Sequence, residues 1–371
     1  MKKFFLKPNF TRNLILAIIL ISTVILNFLH LYGGNQYPSV HALCPAGGLE
    51  NFWAFIGGRS NISKIFSGTM TLFFFTLVFA LFFGRGFCGN FCPFGALFEF
   101  IAKIKKKKIE ISPQIDKYLR YLKYLVLILI TFMAWKTATL WISPFDPYAA
   151  FAHLGSGSEI LTEMPIALIF LLLILIASIF INRFFCRYLC PAGALYALIS
   201  KISFLKIKRS PCLDCKACSR TCPMGINVKN LEEIKGGECI ACGQCINTCP
   251  DSNKYLGFYL FGKKIKTLSF VLITVLLFFF SLFIFNSTGL LRLSIPNIEK
   301  IEETKDYIKF ADLKGSMSIE LGAQYTGASL PEFYKLMKIP KSVPKETLLK
   351  EVSEIILGYD FHVIKSSVVN K

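Results

Sequence analysis

Charge is what this sequence has least of. Charged residues make up 18% of its 371 positions and hydrophobic residues 54%, with 37 phenylalanines. That balance excludes the two or three soluble domains that such a length would otherwise hold. An electrostatic groove for nucleic acid is also missing. From Arg292 to Lys371, 12 Lys+Arg face 11 Asp+Glu, so nearly all of the +19 net charge lies earlier, in short clusters beside apolar runs. Such clusters mark cytoplasmic loops rather than a DNA-binding face. A disulfide-stapled secreted domain is excluded by the order of the 13 cysteines, twelve of which fall in four tight groups with Cys44 alone. That ordering points to metal ligation. No lipobox precedes Cys44, because Leu43 adjoins it directly.

What is present is a set of long apolar runs. Five qualify as spans by the ~20 residues that a helix needs to cross the hydrocarbon core: roughly Asn13–Leu31, Ile65–Phe83, Tyr121–Trp141, Met164–Ile181 and Thr267–Phe285. None carries a charge at its centre except Lys136, which is near an end and can snorkel. Basic residues cluster in the N-terminal tail, after the second run (Lys103, Lys105–Lys108) and after the fourth (Arg183, Arg187, Lys201, Lys206, Lys208, Arg209). Loops 32–64 and 142–163 hold only Arg59 and Lys64. The positive-inside rule then predicts a cytoplasmic N-terminus and an extracytoplasmic segment after the fifth run. Val40-His41-Ala42 resembles a signal-peptidase site, but it lies too far beyond the first run, so an uncleaved anchor is expected.

Residues 212–250 read Cys212-x2-Cys215-x2-Cys218-x3-Cys222-Pro223, then Cys239-x2-Cys242-x2-Cys245-x3-Cys249-Pro250. Two structural zinc sites would need only pairs of Cys-x2-Cys and would leave the third cysteine of each run unexplained. The doubled run resembles the bacterial two-cluster ferredoxins. The resemblance implies that Cys212, Cys215, Cys218 and Cys249 hold one [4Fe–4S] cluster, and that Cys239, Cys242, Cys245 and Cys222 hold the other.

An internal repeat carries four more cysteines. Arg85-Gly86-Phe87-Cys88-Gly89-Asn90-Phe91-Cys92-Pro93 matches Arg183-Phe184-Phe185-Cys186-Arg187-Tyr188-Leu189-Cys190-Pro191 at a constant offset of 98. Proline fits the first turn of a helix, so Cys92 and Cys190 are expected at helix N-termini, where the dipole and nearby Lys and Arg favour thiolates. Two related hairpins can bring Cys88, Cys92, Cys186 and Cys190 together as an iron or iron–sulfur centre. A redox-active dithiol, or small residues packed at helix starts, are the alternatives. Cys44-Pro45 and Ser143-Pro144, 99 residues apart, read as a matching pair in the outer loops. Cys44 suits either a cofactor or quinone edge or a tight structural turn. His30 and His41 suit either a quinol proton acceptor or interfacial packing.

These motifs together resemble the polyferredoxin-like membrane proteins typified by NapH and the C-terminal half of NosR, over about residues 10–255. The resemblance rests on the two Cys-x3-Cys-Pro motifs, the Cys44-Pro45-x-Gly47 turn and the paired cluster runs. It implies quinol-linked electron transfer between the membrane pool and a redox partner. Similar motifs occur in CcoG-type proteins, linked to copper handling. The fifth run and residues 286–371 depart from NapH, and the flavin domain of NosR has no counterpart.

The expected fold is mainly α. A four-span membrane domain of two hairpins (1–209) leads to an inserted α+β ferredoxin module (210–255), a linker and fifth span (256–287), and a small α-rich extracytoplasmic domain (288–371). In the last, Ser316–Ile339 reads as two short helices around Thr326-Gly327-Ala328-Ser329, with Ile319, Leu330, Phe333, Leu336 and Met337 as a mini-core. A docking domain suits it better than a DNA-binding or covalent-flavin role. The expected function is electron transfer between quinone or an external partner and two [4Fe–4S] clusters; copper reduction during assembly and membrane redox sensing are the alternatives.

Overall fold

The computed structural model describes residues 8–33, 37, 44–57, 67–105, 108–109, 111–137, 142–155, 160–161, 164–212, 215–234, 237–251, 255–291, 317–349 and 351–356, with 313, 359, 361, 364 and 368 singly. The chain divides into a larger unit ending at Leu293 and a smaller one that includes Ser294–Lys371. It is mostly helical, and each of the five apolar runs contributes a helix. These are α1 (Pro8–Gly33), α3 (Ser67–Phe83), α6 (Pro113–Thr137), α8 (Pro165–Phe180) and α13 (Thr267–Ser287). Three of them, α1, α6 and α13, are long and apolar enough to cross a membrane. At 1.5 Å per residue α3 and α8 reach only about 25 Å, short of a ~30 Å hydrocarbon core. Helix α6 starts at Pro113, well before the apolar run, so it also carries Lys117 and Arg120.

After α3 and α8 the chain makes the same sequence of turns twice. A left-handed residue follows, Gly84 at φ 59° and Arg183 at φ 51°. Next come one-turn helices α4 (Gly86–Asn90) and α9 (Phe184–Tyr188), then α5 (Pro93–Ala102) and α10 (Pro191–Ser200). Before these hairpins, two short helices open on proline: α2 (Pro45–Ile56), capped by Cys44, and α7 (Pro147–Ala152), capped by Asp146. The two caps share nearly the same backbone, φ −88°, ψ 117° and φ −79°, ψ 112°. The structural counterpart of Cys44-Pro45 is therefore Asp146-Pro147, not Ser143-Pro144, which lies in a 3₁₀ turn. The constant offset does not extend to this loop.

The ferredoxin region is built on an antiparallel sheet ordered β2-β1-β3-β4, with β1 Leu205–Arg209, β2 Glu233–Ile234, β3 Leu256–Leu260 and β4 Lys263–Ile265. Its strands lie partly outside the 210–255 interval that the cysteine spacing marks. The register pairs Ile207 with Phe258, and Phe258 with Ile265. Period-two alternation then turns Leu205, Ile207 and Phe258 inward and Lys206 and Lys208 outward. Phe258 stacks on Phe270 of α13 at 4.4 Å, which fixes the sheet to the start of the last long helix.

In the smaller unit, α14 (Ile319–Thr326) and α15 (Leu330–Leu336) flank Gly327, whose φ of 68° ends the first helix. Ile319, Phe333 and Met337 are fully buried as expected, and Leu330 packs against them. Leu336 instead faces outward at 37% exposure. Met317, Leu349, Val352 and Phe361 complete a larger core than the local pattern suggests.

Candidate functional site

Both cluster runs adopt one local design. The one-turn helices α11 (Ala217–Thr221) and α12 (Gln244–Thr248) each start after a left-handed residue, Lys216 at φ 59° and Gly243 at φ 71°. Each ends on an extended cysteine, Cys222 or Cys249, followed by proline. That extended backbone sends the fourth cysteine away from its own run, and α11 and α12 pack on each other. Cys249 accordingly lies in electrostatic range of Cys212, Cys215 and Cys218. Cys222 lies near Cys239, Cys242 and Cys245. The fourth cysteine of each run thus lies nearer the cysteines of the other run. Burial and the neighbouring thiols push Cys222 up to about 11 and Cys239 to about 12. The thiolates of Cys222 and Cys239 are thus disfavoured unless a cation is coordinated. Cys212 Sγ accepts from Arg209 Nη1 at 3.0 Å, and Cys222 Sγ from the Ile226 amide at 3.4 Å.

The repeated membrane cysteines also come together. Cys92 and Cys190 cap α5 and α10, with proline at N1 and the same backbone angles, φ −66° and ψ 115°. Each Sγ accepts the amide three residues on, from Gly95 and Gly193, at 3.3 Å. The helix-start expectation holds for both, but the expected favouring of thiolates does not: burial and the neighbouring thiols push both groups up from the usual thiol value. Cys88 and Cys186 sit buried on α4 and α9. Cys190 feels Cys186, Cys88 and Cys92, and Cys92 feels Cys88 and Cys186. Among the described residues, no three His, Cys, Asp or Glu side chains are close enough to share one metal ion.

Sequence reasoning missed the arginines around these thiols. Arg85 and Arg183 head the two repeats, and each is fully buried. Each reaches across to the other copy: Arg183 Nη1 donates to the Cys88 carbonyl at 2.7 Å, and Arg85 Nη2 to that of Cys186 at 3.2 Å. A Cβ on Gly95 would stand 3.0 Å from Arg183 Nη1, and one on Gly193 2.8 Å from Arg85 Nη2, so glycine makes room for both crossings. Two guanidiniums thereby face the four thiols from opposite repeats. Their signal was the identical Arg at the head of each copy of the repeat, at an offset of 98.

A second omission concerns how the ferredoxin region meets the hairpins. A Cβ on Gly89 would lie 2.0 Å from the Ile240 carbonyl oxygen and 3.4 Å from the Cys242 amide. The Cys239–Cys242 loop is therefore in backbone contact with α4. Ile240 and Cys242 share one apolar cluster with Cys88, Phe87 and Phe91. Glu99 on α5 ties the contact together: it accepts from Arg12 (2.7 and 2.8 Å), Arg183 Nε (3.2 Å) and Gln244 (2.8 Å). On the other repeat, Arg187 pairs with Asp116 at 2.5 Å and covers Gly225, while Arg120 donates to the Met224 carbonyl at 2.6 Å. Both loops that carry the Cys222/Cys239/Cys242/Cys245 group thus rest on the cysteine hairpins. The Cys212/Cys215/Cys218/Cys249 group is the more solvent-facing one, with Cys215 exposed.

Glu238, which pairs with Lys123 at 2.5 Å, Arg120 at 3.2 Å and Arg85 at 3.4 Å, closes this network. Burial opposes its charge, but Arg85, Lys123 and Arg120 outweigh it and hold the carboxyl below its usual range. Its stabilisation is complete above the unfolded value of about 4.3 and is lost as pH falls through the lower folded value. Glu238→Gln is expected to flatten the acid limb of thermal stability between pH 7 and pH 3. An acid limb identical to wild type contradicts that assignment.

Comparison with known proteins bears on the same segments. A family model described as a 4Fe-4S binding domain matches residues 68–112 and again 163–211, one copy per hairpin, and a 4Fe-4S dicluster domain matches 204–250. MJ0750 of Methanocaldococcus jannaschii is 33% identical over 193 residues, which is 50% of this chain and 75% of that protein. The chain belongs to the NapH/NosR-type polyferredoxin-like membrane proteins. Another relative in Escherichia coli (strain K12), YccM, is named for electron transport. It is 31% identical over 215 residues, covering 51% of this chain and 57% of YccM. A ferredoxin-type protein NapH of Haemophilus influenzae is 28% identical over 40% of this chain and 50% of its own length. The chain thus spans little more than half of YccM. No solved structure matches it.

Membership in the polyferredoxin-like family accounts for the cysteine groups but leaves the outer residues to geometry. Cys44 is half-buried and packs in the same apolar cluster as Cys92 and Cys186. Tyr148 lies in electrostatic range of both Cys44 and Cys92, and Tyr196 of Cys44, Cys88 and Cys190. His30 Nδ1 donates to the Tyr37 carbonyl at 2.7 Å, which occupies one ring nitrogen. His41 lies outside the described residues.

Proposed function

We propose that this protein carries single electrons between the membrane and a soluble redox partner. In this reading Cys212, Cys215, Cys218 and Cys249 hold one [4Fe–4S] cluster, and Cys239, Cys242, Cys245 and Cys222 hold the second. Cys88, Cys92, Cys186 and Cys190 hold a further iron–sulfur centre between the hairpins. When bound, such groups supply one-electron carriers whose potentials follow charge and hydrogen bonding at sulfur. The observation that carries the proposal is the backbone contact of the Cys239–Cys242 loop with Gly89, between Cys88 and Cys92.

The chain's own residues supply the environment. Arg85 and Arg183 balance negative charge on the four thiolates, and the Gly95 and Gly193 amides hold two of the sulfurs in place. Phe87, Phe91 and Phe278 wall the group off from water, Phe91 stacking on Phe278 at 4.8 Å. Arg209, bonded to Cys212 Sγ, favours the reduced, more negative state of the first cluster. Arg209→Met is expected to make that cluster's midpoint more negative in an EPR-monitored titration, with the second cluster unmoved; equal shifts in both, or none, contradict this role.

The distribution of Lys and Arg supports five spans in the inner membrane, with the N-terminus and ferredoxin module cytoplasmic and residues 288–371 extracytoplasmic. The family resemblance supports the quinone pool, or an external redox subunit, as the other terminus. Reduced quinone added to the protein in liposomes is expected to bleach its iron–sulfur absorbance. The doubly substituted Cys186→Ser/Cys190→Ser protein should lose that response yet still bleach with dithionite. Bleaching that quinol never elicits, together with quinol-independent copper(II) reduction, would favour the assembly role instead.

A further inference from the structure

A cavity of about 340 Å³ opens beside β1, away from every cysteine group. Lys201, Lys206 and Lys208 line it together with Phe204, Tyr259 and Phe261. Alternation along β1 puts Lys206 and Lys208 on the same outward face, and Lys208 lies 5.4 Å from the centre of the Tyr259 ring. Lys201 caps the C-terminus of α10 and is exposed. One carboxylate, Glu233, pairs with Lys206 at 3.2 Å. The lining is therefore strongly cationic.

Its aromatic lining is tied to the apolar helix α3. The Phe204 amide donates to the Leu81 carbonyl, in the last turn of α3, at 3.1 Å. Phe204 lies 5.5 Å from Phe82 of that turn and 4.8 Å from Phe261. Phe261 and Gly262 form the tip of the β3–β4 hairpin, both left-handed, at φ 49° and 80°. The tip is thereby turned so that Phe261 is 60% exposed beside Phe82 and Phe204, themselves 37% and 41% exposed. Three neighbouring rings left open at a span end match an interfacial aromatic anchor, and water alone would cover them poorly.

We propose that this cavity binds the headgroup of an anionic phospholipid, with the acyl chains lying along Phe82, Phe204 and Phe261. A phosphate satisfies the lysines, and the rings require an apolar continuation that free phosphate lacks. The lipid bridges α3 and the hairpin that leads into α13. The site stands apart from the redox reading.

The test uses the full-length protein, purified anaerobically, delipidated and exchanged into nanodiscs of phosphatidylglycerol or phosphatidylcholine, with retained lipid read by native mass spectrometry. One phosphatidylglycerol per chain is expected to be retained at least roughly tenfold better than phosphatidylcholine. Lys201→Gln/Lys206→Gln/Lys208→Gln should abolish the preference, and Phe261→Ser should weaken retention without removing it. An unchanged iron–sulfur spectrum verifies the fold of each variant; if the triple variant loses that spectrum, Lys201→Gln alone, at an exposed cap, carries the charge test. Equal retention of both lipids, full retention by the lysine variants, or displacement by millimolar inorganic phosphate would overturn the proposal.

Discussion

Glu99→Ala is expected to destabilise the larger unit by about 3–5 kcal/mol, the cost of leaving a buried charge without its partner. Glu99 is 6% exposed and lies between Arg12 and Arg183, at 1% and 0%. Burial works against its charge, but Arg183 and Arg12 hold the carboxyl well below the usual carboxylate range. Removing it strands two guanidiniums, and it also releases Gln244 of the ferredoxin region. Three parts of the chain, the N-terminal helix, the second hairpin and the cluster-bearing loops, would lose their common acceptor. Thermal loss of iron–sulfur absorbance in detergent measures the effect. Glu99→Gln should fall between wild type and Glu99→Ala, because it keeps an acceptor and loses the charge. A Glu99→Ala protein as heat-stable as wild type would show that the cluster of charges is not holding the unit together.

The second large effect is expected at Gly89. A side chain there meets backbone, the Ile240 carbonyl 2.0 Å from its Cβ, so no rotamer relieves the clash. The residue cannot simply retreat, because Arg12 holds the Gly89 carbonyl at 3.0 and 2.7 Å. Gly89→Ala should therefore lever the Cys239–Cys242 loop off α4 at a cost of about 1–3 kcal/mol. Iron content is expected to stay near wild type, because none of the thirteen cysteines is touched. Reduction of the ferredoxin clusters by quinol should slow sharply, while reduction by dithionite should not. Magnetic coupling between the hairpin centre and the nearer cluster, read by EPR, should weaken in parallel. Gly89→Ala with wild-type quinol kinetics would mean that electrons do not cross at this contact.

Several of these features were legible in the residues alone. Apolar runs located all five long helices, because a run of that length has few other ways to satisfy its backbone. Cys-Pro pairs located the starts of α5 and α10, because proline is tolerated where the helix lacks amide acceptors anyway. The charge network was not legible. Arg12 and Glu99 are 87 residues apart, and nothing local to either records the other. Lone acids in apolar helices, Glu99 among Phe98, Phe100 and Ile101, were the available signal. The match of Cys44 with Asp146 was hidden because the repeat is out of step in that loop, so a constant offset selected Ser143. The sheet extended beyond the cysteine interval because its pairing of Ile207 with Phe258 joins residues from either side of the cysteine runs.

The hairpin geometry also gives the two cluster groups unequal positions. The Cys222/Cys239/Cys242/Cys245 group rests on Gly89 and Arg187, which occupy matching places in the two repeats but meet the module differently. Glycine admits the Ile240 carbonyl, and arginine covers Gly225 and pairs with Asp116. A protein built from two similar hairpins thereby presents two different surfaces to one module, which fixes its orientation. The group nearer the hairpins is the one suited to exchange electrons with them, and the exposed Cys215 side is suited to a soluble partner.

The central claim is that the two hairpins hold an iron–sulfur centre in addition to the ferredoxin pair. Iron and acid-labile sulfide counting on anaerobically purified protein tests it most directly. Two clusters alone give about eight irons per chain. The expected result is a count clearly above that level, falling back to about eight when Cys88, Cys92, Cys186 or Cys190 is replaced by serine. A wild-type count already at the two-cluster level, unchanged by those substitutions, would contradict it.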